Sequence, residues 1–300
     1  MFDYRYHALS LAAVLLALAV GVVIGVAIGD SNLVSSAKSG IVHDLSSEVS
    51  DGQRQAGELR TQLAGEEAFT NDLYPIAVHG LLSGRSVGLV FLGGSSNRVN
   101  SLVREAVTQA GGDLVTVVAV REPPDLAGLA REAAGTHYAA LGASPSTGRA
   151  QLVERFGRLV GRQLVSGGQL VGRELLSRVR NRLLSAFNGQ LGRLQGLVVM
   201  RAEPTGTTPE EAQASAAFDT GLIDGVAAVG VPTVGVELSS TEPSQVPWYQ
   251  SQNMSSVDDL NATAGQAALI YALSGSHGAY GTKSSADSLL PNVGGATTQP

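Results

Sequence analysis

The residue types that carry most catalytic and metal chemistry are sparse in this chain of 300 residues. Cysteine is absent, which excludes disulfides, thiolate metal sites and cysteine nucleophiles. The histidines lie far apart, and the three methionines form no cluster suited to Cu(I). Ser95 and Ser96 could stand as nucleophiles, but the G-x-S-x-G elbow of hydrolases is missing. We therefore predict a protein that is not an enzyme, with no evident cofactor and with unknown metal ligands.

Two segments are candidates for a ligand pocket. The turn Gly93-Gly94-Ser95 follows an apolar run and could hold an anion on backbone N–H groups, although it matches no phosphate-binding pattern. A plain turn with a helix cap at Asn97 is the alternative. Glu237 ends another apolar run, and Trp248 follows in a loop, either as a contact site or as a lid over the core. Ligands of open α/β sheets bind beyond the carboxyl ends of strands, so we expect a pocket there.

The elements that must position these residues alternate between apolar runs and helical stretches. Such alternation predicts an α/β domain with a mainly parallel sheet in three layers, over residues 74–282. The predicted strands are 86–92, 114–120, 197–200 and 231–238. The predicted helices are 97–110, a pair within 149–187, one opened by Pro209 and one over 262–273. Residues 283–300 are mostly small and polar, and we expect a disordered tail.

The chain begins with an apolar segment long enough to cross a bilayer. Residues 8–28 carry no charge, and as a helix they would span about 30 Å. A cleaved signal peptide is the competing interpretation, because Ala17-Leu18-Ala19 resembles a cleavage site. The apolar run continues nine residues past it, which favours an uncleaved transmembrane anchor over residues 1–30. Arg5 before the span gives a slight bias that places the bulk of the chain outside the cytoplasm, in contact with membrane lipid through this one pass.

Small residues recur every fourth position within this predicted helix. They form one continuous stripe along which two backbones can approach closely, which favours self-association. A purely compositional origin is the alternative, since glycine and alanine are common in membrane helices. The stripe consists of Ala13, Ala17, Gly21, Gly25 and Gly29.

The following segment, residues 31–73, shows an imperfect heptad pattern. Its apolar residues alternate in steps of three and four, which predicts a short coiled-coil stalk and a parallel homo-oligomer. Gly52 weakens this seam. A single amphipathic helix packed on the downstream domain is the alternative. The seam comprises Val42, Leu45, Val49, Ala56, Leu59 and Leu63.

Composition excludes some functional classes. The formal charge is −6, with 20 basic against 26 acidic residues, and a nucleic-acid-binding protein needs a dense basic surface. Only 15% of residues are charged, well below the ~25% usual in soluble domains. The chain is thus predicted to fold with much buried or lipid-facing surface and to bind no nucleic acid.

Several stretches resemble the mycobacterial copper transport protein B (MctB) family. They are YRYHALSLAAVLLALAVGVVIGVAIGDSNL at the start, SGRSVGLVF at the first strand, and VDDLNATAGQAALIYALSGSHGAYGT near the end. The closing motif resembles the family's G-H-Y-G, with Ala279 in place of histidine. The resemblance implies an envelope protein of copper homeostasis, with copper as its ion, a pore, and an outer-membrane location.

Physical arguments constrain that implication. One helix per chain cannot enclose an aqueous pore, so a pore would require oligomers. We expect a copper transport or tolerance component acting as a homo-oligomer. The alternative is a non-catalytic envelope scaffold whose α/β domain binds a partner protein or cell-wall ligand. The sequence leaves open which membrane holds the anchor.

Overall fold

A computed structural model describes residues 4–29, 31–143, 147–167, 173–190 and 192–292. The chain divides into two compact units, residues 1–67 and 68–300. The side chains of residues 31–44 lie outside the described part, and so does the predicted tail beyond residue 292.

The first unit contains the predicted apolar helix. This helix, α1, runs from Tyr4 to Ile28, and residues Arg5–Ala27 are long and apolar enough to cross a membrane. Among the described residues it is the one helix that meets this criterion. Its side chains are exposed throughout the described part.

Helix α2 spans Ser31–Val78 and begins in the first unit. It contains the predicted stalk and continues through Pro75, beyond the predicted boundary. Leu45, Val49, Leu59 and Leu63 of the seam are each more than half exposed, whereas the Val42 side chain lies outside the described residues. The helix is therefore present, and its pairing as a coiled coil stays a prediction.

The second unit is built on a seven-stranded sheet of order β3-β2-β1-β4-β5-β6-β7. Every neighbouring pair is parallel except β2 with β3, which is antiparallel. This confirms the predicted α/β class. The strands are β1 (Ser86–Leu92), β2 (Asp113–Val120), β3 (Leu184–Gly189), β4 (Gly196–Arg201), β5 (Thr233–Val236), β6 (Ser255–Val257) and β7 (Ala279–Tyr280).

Helices cover both faces of this sheet. The remaining helices are α3 (Asn97–Gln109), α4 (Leu126–Glu132), a 3₁₀ turn (His137–Gly142), α5 (Thr147–Ser166), α6 (Arg173–Leu183), α7 (Pro209–Ala227), α8 (Val246–Ser251) and α9 (Thr263–Ser274). One core joins α3, α9 and the end of α2 to the side chains of Leu89 and Phe91. The other joins α4–α8 to those of Val90 and Leu92. Successive residues of β1 thus enter opposite cores, which explains why this strand is apolar throughout.

Three sequence-based expectations about elements need correction. The predicted helix pair within 149–187 ends at Leu183, because Leu184–Gly189 pairs with β2 as an antiparallel edge strand. Strands β6 and β7 were not predicted, since runs of three and two residues carry no recognisable periodicity. Residues 283–292 of the expected tail lie against the folded unit, where Ser288 forms a bridge with Tyr280.

Candidate functional site

Six polar side chains form a contiguous cluster at the carboxyl edge of the parallel strands. Strand β1 lies between β2 and β4, so the chain order reverses between β1 and β4, the position where open α/β sheets bind ligands. The cluster starts beside this point and extends along the edge to β7. We call it the carboxyl-edge cluster: Glu122, Arg201, Asp219, Glu237, Gln245 and Lys283.

Arg201, the last residue of β4, is the centre of this cluster. Its side chain is only 11% exposed, and its Nε lies 3.3 Å from Oδ2 of Asp219, which is fully buried in α7. Its Nη1 donates to Oε1 of Gln245 at 2.6 Å. Its guanidinium carbon lies 4.9 Å from the centre of the Trp248 ring, a cation–π distance. The arginine therefore links β4, α7 and α8 through charge and stacking.

Glu122 and Asp219 form a pair of neighbouring carboxyl groups whose oxygens are buried. Among the described residues, neither Glu122 oxygen nor Asp219 Oδ1 has a hydrogen-bonding partner by distance and angle. Burial, and then the neighbouring Asp219, raise the pKa of Glu122 to about 9. Burial raises the pKa of Asp219 to about 6, although Glu122 and Arg201 oppose that rise. At neutral pH we therefore expect the pair as a whole to hold one proton and one negative charge beside Arg201.

Glu237 and Lys283 form the other end of the cluster. Glu237 is 1% exposed, and its Oε1 accepts from Lys283 Nζ at 2.6 Å and from Ser244 Oγ at 2.8 Å. Its Oε2 accepts from the Gln245 backbone N–H at 2.5 Å. Lys283 Nζ also donates to the Thr241 carbonyl oxygen at 2.6 Å. Every charge in this pair has several partners, as a buried ion pair requires.

The structure places all the sequence-predicted pocket residues at this edge. Gly93 directly follows β1 and has φ +95°, and a Cβ there would lie 3.0 Å from the Ala202 carbonyl oxygen. Gly94 and Ser95 are exposed beside it. Glu237 belongs to the cluster, and Trp248 lies in α8 rather than in a loop. The helix cap is Ser96, whose Oγ accepts from the Val99 N–H, and not Asn97 as expected. A ligand at this edge stays a prediction.

Sequence reasoning missed Glu122, Arg201, Asp219, Gln245 and Lys283. No local motif marks them, because most of their side-chain partners are distant in the chain: 18 residues separate Arg201 from Asp219, 44 separate it from Gln245, and 46 separate Lys283 from Glu237. Two of them share a positional signal with Glu237: Arg201 ends β4, and Glu122 lies two residues beyond the end of β2, as Glu237 lies directly after β5. The acidic pair Asp258-Asp259 is, as a sequence pattern, typical of a solvated surface or a helix start. Both residues are instead buried, and Asp258 accepts from the N–H groups of Thr282 and Lys283.

The arrangement places a pair of titratable carboxyl groups beside a fixed cation. Within the described ranges, no group of three or more His, Asp and Glu side chains is placed to hold a metal ion. Over the same residues, no hydrogen bond joins a histidine to Ser95 or Ser96. What the cluster can do is bind or release one proton beside a fixed arginine and so change its net charge.

Comparison with known proteins decides the family. The chain matches the family described as "Copper transport outer membrane protein, MctB" over residues 1–291. The chain belongs to the MctB family. Copper transporter MctB of Mycobacterium tuberculosis is 27% identical over 306 residues, covering 94% of this chain and 96% of that protein. The same values hold for copper transporter MctB of Mycobacterium bovis. That of Mycobacterium leprae is 32% identical over 122 residues, 41% of this chain.

The MctB match covers both the apolar helix and the α/β unit. Ala279 stands where the G-H-Y-G motif has a histidine. It is buried in β7, and its N–H donates to Asp287 Oδ2 at 3.0 Å. The closing motif of this MctB-family chain therefore contains the last strand of the sheet, where the small side chain of Ala279 is buried. Beyond residue 80, the α/β unit has two histidines, His137 and His277, and both are exposed.

The buried proton predicts a distinctive pH dependence for a Glu122→Gln variant. The unfolded chain releases this proton near pH 4.5, whereas the folded chain keeps it until about pH 9, so wild-type stability decreases as pH rises between these values. One such proton changes the free energy of unfolding by up to about 1.4 kcal/mol per pH unit. We expect the variant, measured by urea unfolding from pH 6.5 to 8.5, to lose most of this decrease.

Glu203→Gln, at an exposed glutamate beyond β4, is the matched control and should keep the wild-type slope. Asp219 and Asp259, whose pKa values burial raises to about 6, still hold part of a proton at pH 6.5, so the slopes are compared between pH 7.5 and 8.5, where both are almost fully deprotonated. An equal slope for wild type and Glu122→Gln would show that Glu122 is charged in the folded protein.

Proposed function

We propose that the protein is a membrane-anchored component of copper transport or copper tolerance in the cell envelope, and that it acts as a homo-oligomer. The observation that carries this proposal is the family match over residues 1–291, supported by relatives that are named copper transporters. Copper is the cargo in this proposal and not a resident cofactor. We assign it no ligand set.

The membrane helix supports anchoring, and its small-residue stripe supports assembly. A Cβ on Gly21 or Gly25 would meet no atom of its own chain within 4 Å. These glycines are thus not needed for packing within one copy, whereas a helix from another copy could approach closely along them. Several anchors would be needed to enclose a water-filled route, because one helix has no lumen.

The exposed seam of α2 supports the same assembly. Leu45, Val49, Leu59 and Leu63 are 53–60% exposed at heptad positions of an otherwise polar helix. A row of exposed apolar side chains at this spacing is typical of a coiled coil. We propose that the anchor and the stalk join the same copies in one parallel register, with the α/β unit on the extracytoplasmic side.

The test is complementation of a strain that lacks the gene. We expect the deletion to change cellular copper content and to lower survival in excess copper, and the wild-type chain to restore both. The double variant Gly21→Leu/Gly25→Leu should fail to restore them and should lose most of the cross-linked oligomer in native membranes, because leucine separates the two backbones.

Val22→Leu/Val26→Leu is the matched control, with the same four-residue spacing on another face of α1, and it should behave as wild type. Unchanged copper content and survival on deletion would reject the copper role. Restored copper tolerance with an unchanged oligomer in the glycine variant would reject the stripe and leave the copper role standing.

A further inference from the structure

An apolar cavity lies between the sheet and helices α5, α6 and α7, in the α/β unit. Its volume is about 170 Å³, and no residue of the carboxyl-edge cluster lines it. Cavities of about 150 Å³ lined by aliphatic and aromatic side chains stay dry and bind molecules of the size of benzene. This one therefore has room for about six carbon atoms. Apolar lining includes Val90, Val118, Val160, Leu176, Leu184 and Phe187.

Two arginines of α6, Arg173 and Arg180, also line the cavity. The guanidinium carbon of Arg180 lies 5.5 Å from the centre of the Phe187 ring, which keeps this cation against the lining. Over the described ranges, neither arginine forms an ion pair with a carboxylate, whereas Arg182 of the same helix lies 3.8 Å from Asp125. Both guanidinium groups can therefore donate hydrogen bonds to an anion at the cavity.

The positive charge of α6 also favours an anion at this cavity. Helix α6 carries four arginines against one acidic residue, Glu174, although the whole chain is acidic. Buried Leu175, Val179 and Leu183 fix the helix on the sheet, so the arginines project from its other positions. An anion approaching this surface therefore meets a positive potential from the arginines of α6.

From the cavity and its two cations we propose that this site binds an amphipathic anion: an alkyl chain with about six carbons inside, and a carboxylate or phosphate head at Arg173 and Arg180. The apolar walls favour a hydrocarbon chain, because a chain buried against them removes its apolar surface from water. The two guanidinium groups favour a planar or tetrahedral oxyanion over an alcohol. A free fatty acid and the chain of an anionic lipid share this chemistry.

The test uses the full-length protein in nanodiscs of uncharged phosphatidylcholine, with octanoate as the probe and ligand-observed NMR as the readout. We expect saturable octanoate binding, at least tenfold tighter than that of octanol, and none for acetate. Arg173→Gln/Arg180→Gln should weaken octanoate at least tenfold and leave octanol unchanged. Arg178→Gln, on the same helix but outside the lining, is the matched control and should bind octanoate as wild type does.

A second variant separates cavity binding from surface attraction. Leu176→Trp places a larger ring into the cavity from a half-buried position and should abolish binding of both octanoate and octanol. Equal affinity for octanoate and octanol, full binding by Leu176→Trp, or equal weakening by Arg178→Gln would each overturn the proposal. Adding anionic phosphatidylglycerol to the nanodisc then identifies the source: competition with octanoate indicates a lipid, and no competition indicates the free acid.

Discussion

Gly161→Ala is expected to lower the free energy of unfolding by about 3 kcal/mol, although it adds a single methyl group to a helix. A Cβ at this position would clash with the Leu222 carbonyl oxygen in α7. Backbone atoms cannot move aside as a side chain can, so the two helices would have to separate and expose part of their core. Urea unfolding followed by fluorescence of Trp248, the one tryptophan in the chain, measures the change.

The expected loss follows from a reciprocal contact of four glycines. On α5, a Cβ at Gly157 would meet the Phe218 carbonyl oxygen; on α7, a Cβ at Gly221 or Gly225 would meet carbonyl oxygens of α5. Each helix thus contributes two glycines four residues apart, and the backbones touch where those glycines face each other.

Gly148→Ala on the same helix is the matched control. Its Cβ would meet nothing within 4 Å, so alanine should stabilise the helix by up to about 1 kcal/mol through its propensity. If Gly161→Ala were also stabilising, the two helices would not be in backbone contact.

Lys283→Met is expected to lower the free energy of unfolding by about 3 to 5 kcal/mol, because it leaves the Glu237 carboxylate buried without its cation. Lys283 Nζ lies 2.6 Å from Glu237 Oε1, and the glutamate is 1% exposed. The thioether side chain of methionine keeps much of the apolar stem and removes the charge. The same urea measurement detects the loss.

The double variant Lys283→Met/Glu237→Gln should recover part of the stability lost in Lys283→Met, since it removes the unpaired charge. Thr282→Ala, at the exposed neighbouring position, should change stability by less than about 0.5 kcal/mol. A loss below 1 kcal/mol for Lys283→Met, or no recovery in the double variant, would contradict the assignment of a buried ion pair.

Much of the α/β architecture could be predicted from residue patterns. The run at 86–92 is apolar on both faces, and the structure shows a strand there with a core on each side. Pro209 begins a helix as expected, and Thr208 and Glu211 add a reciprocal cap. Strand β3 could not be predicted, because Leu184–Gly189 continues a helical pattern and becomes a strand only through pairing with β2.

The candidate site could be predicted only in its position. Strand ends and loops place Gly93 and Glu237 at one edge of a parallel sheet, which the topology confirms. Their chemical surroundings could not be predicted in this way, since Lys283 had been expected in a disordered tail and the pair Asp258-Asp259 on a solvated surface or at a helix start. Burial of these charges depends on partners distant in the chain.

The sequence by itself determined the apolar helix, the α/β class and the family of this protein, because these depend on local periodicity and on residues compared position by position. Only the tertiary structure decided which carboxyl groups lie beside each other and which glycines bring the backbones of α5 and α7 into contact. Glu237 and Lys283 are 46 residues apart, and Arg201 and Gln245 are 44 apart. Such contacts follow from strand order and helix crossing, which no local pattern encodes, and burial then sets how strongly each charge needs its partner.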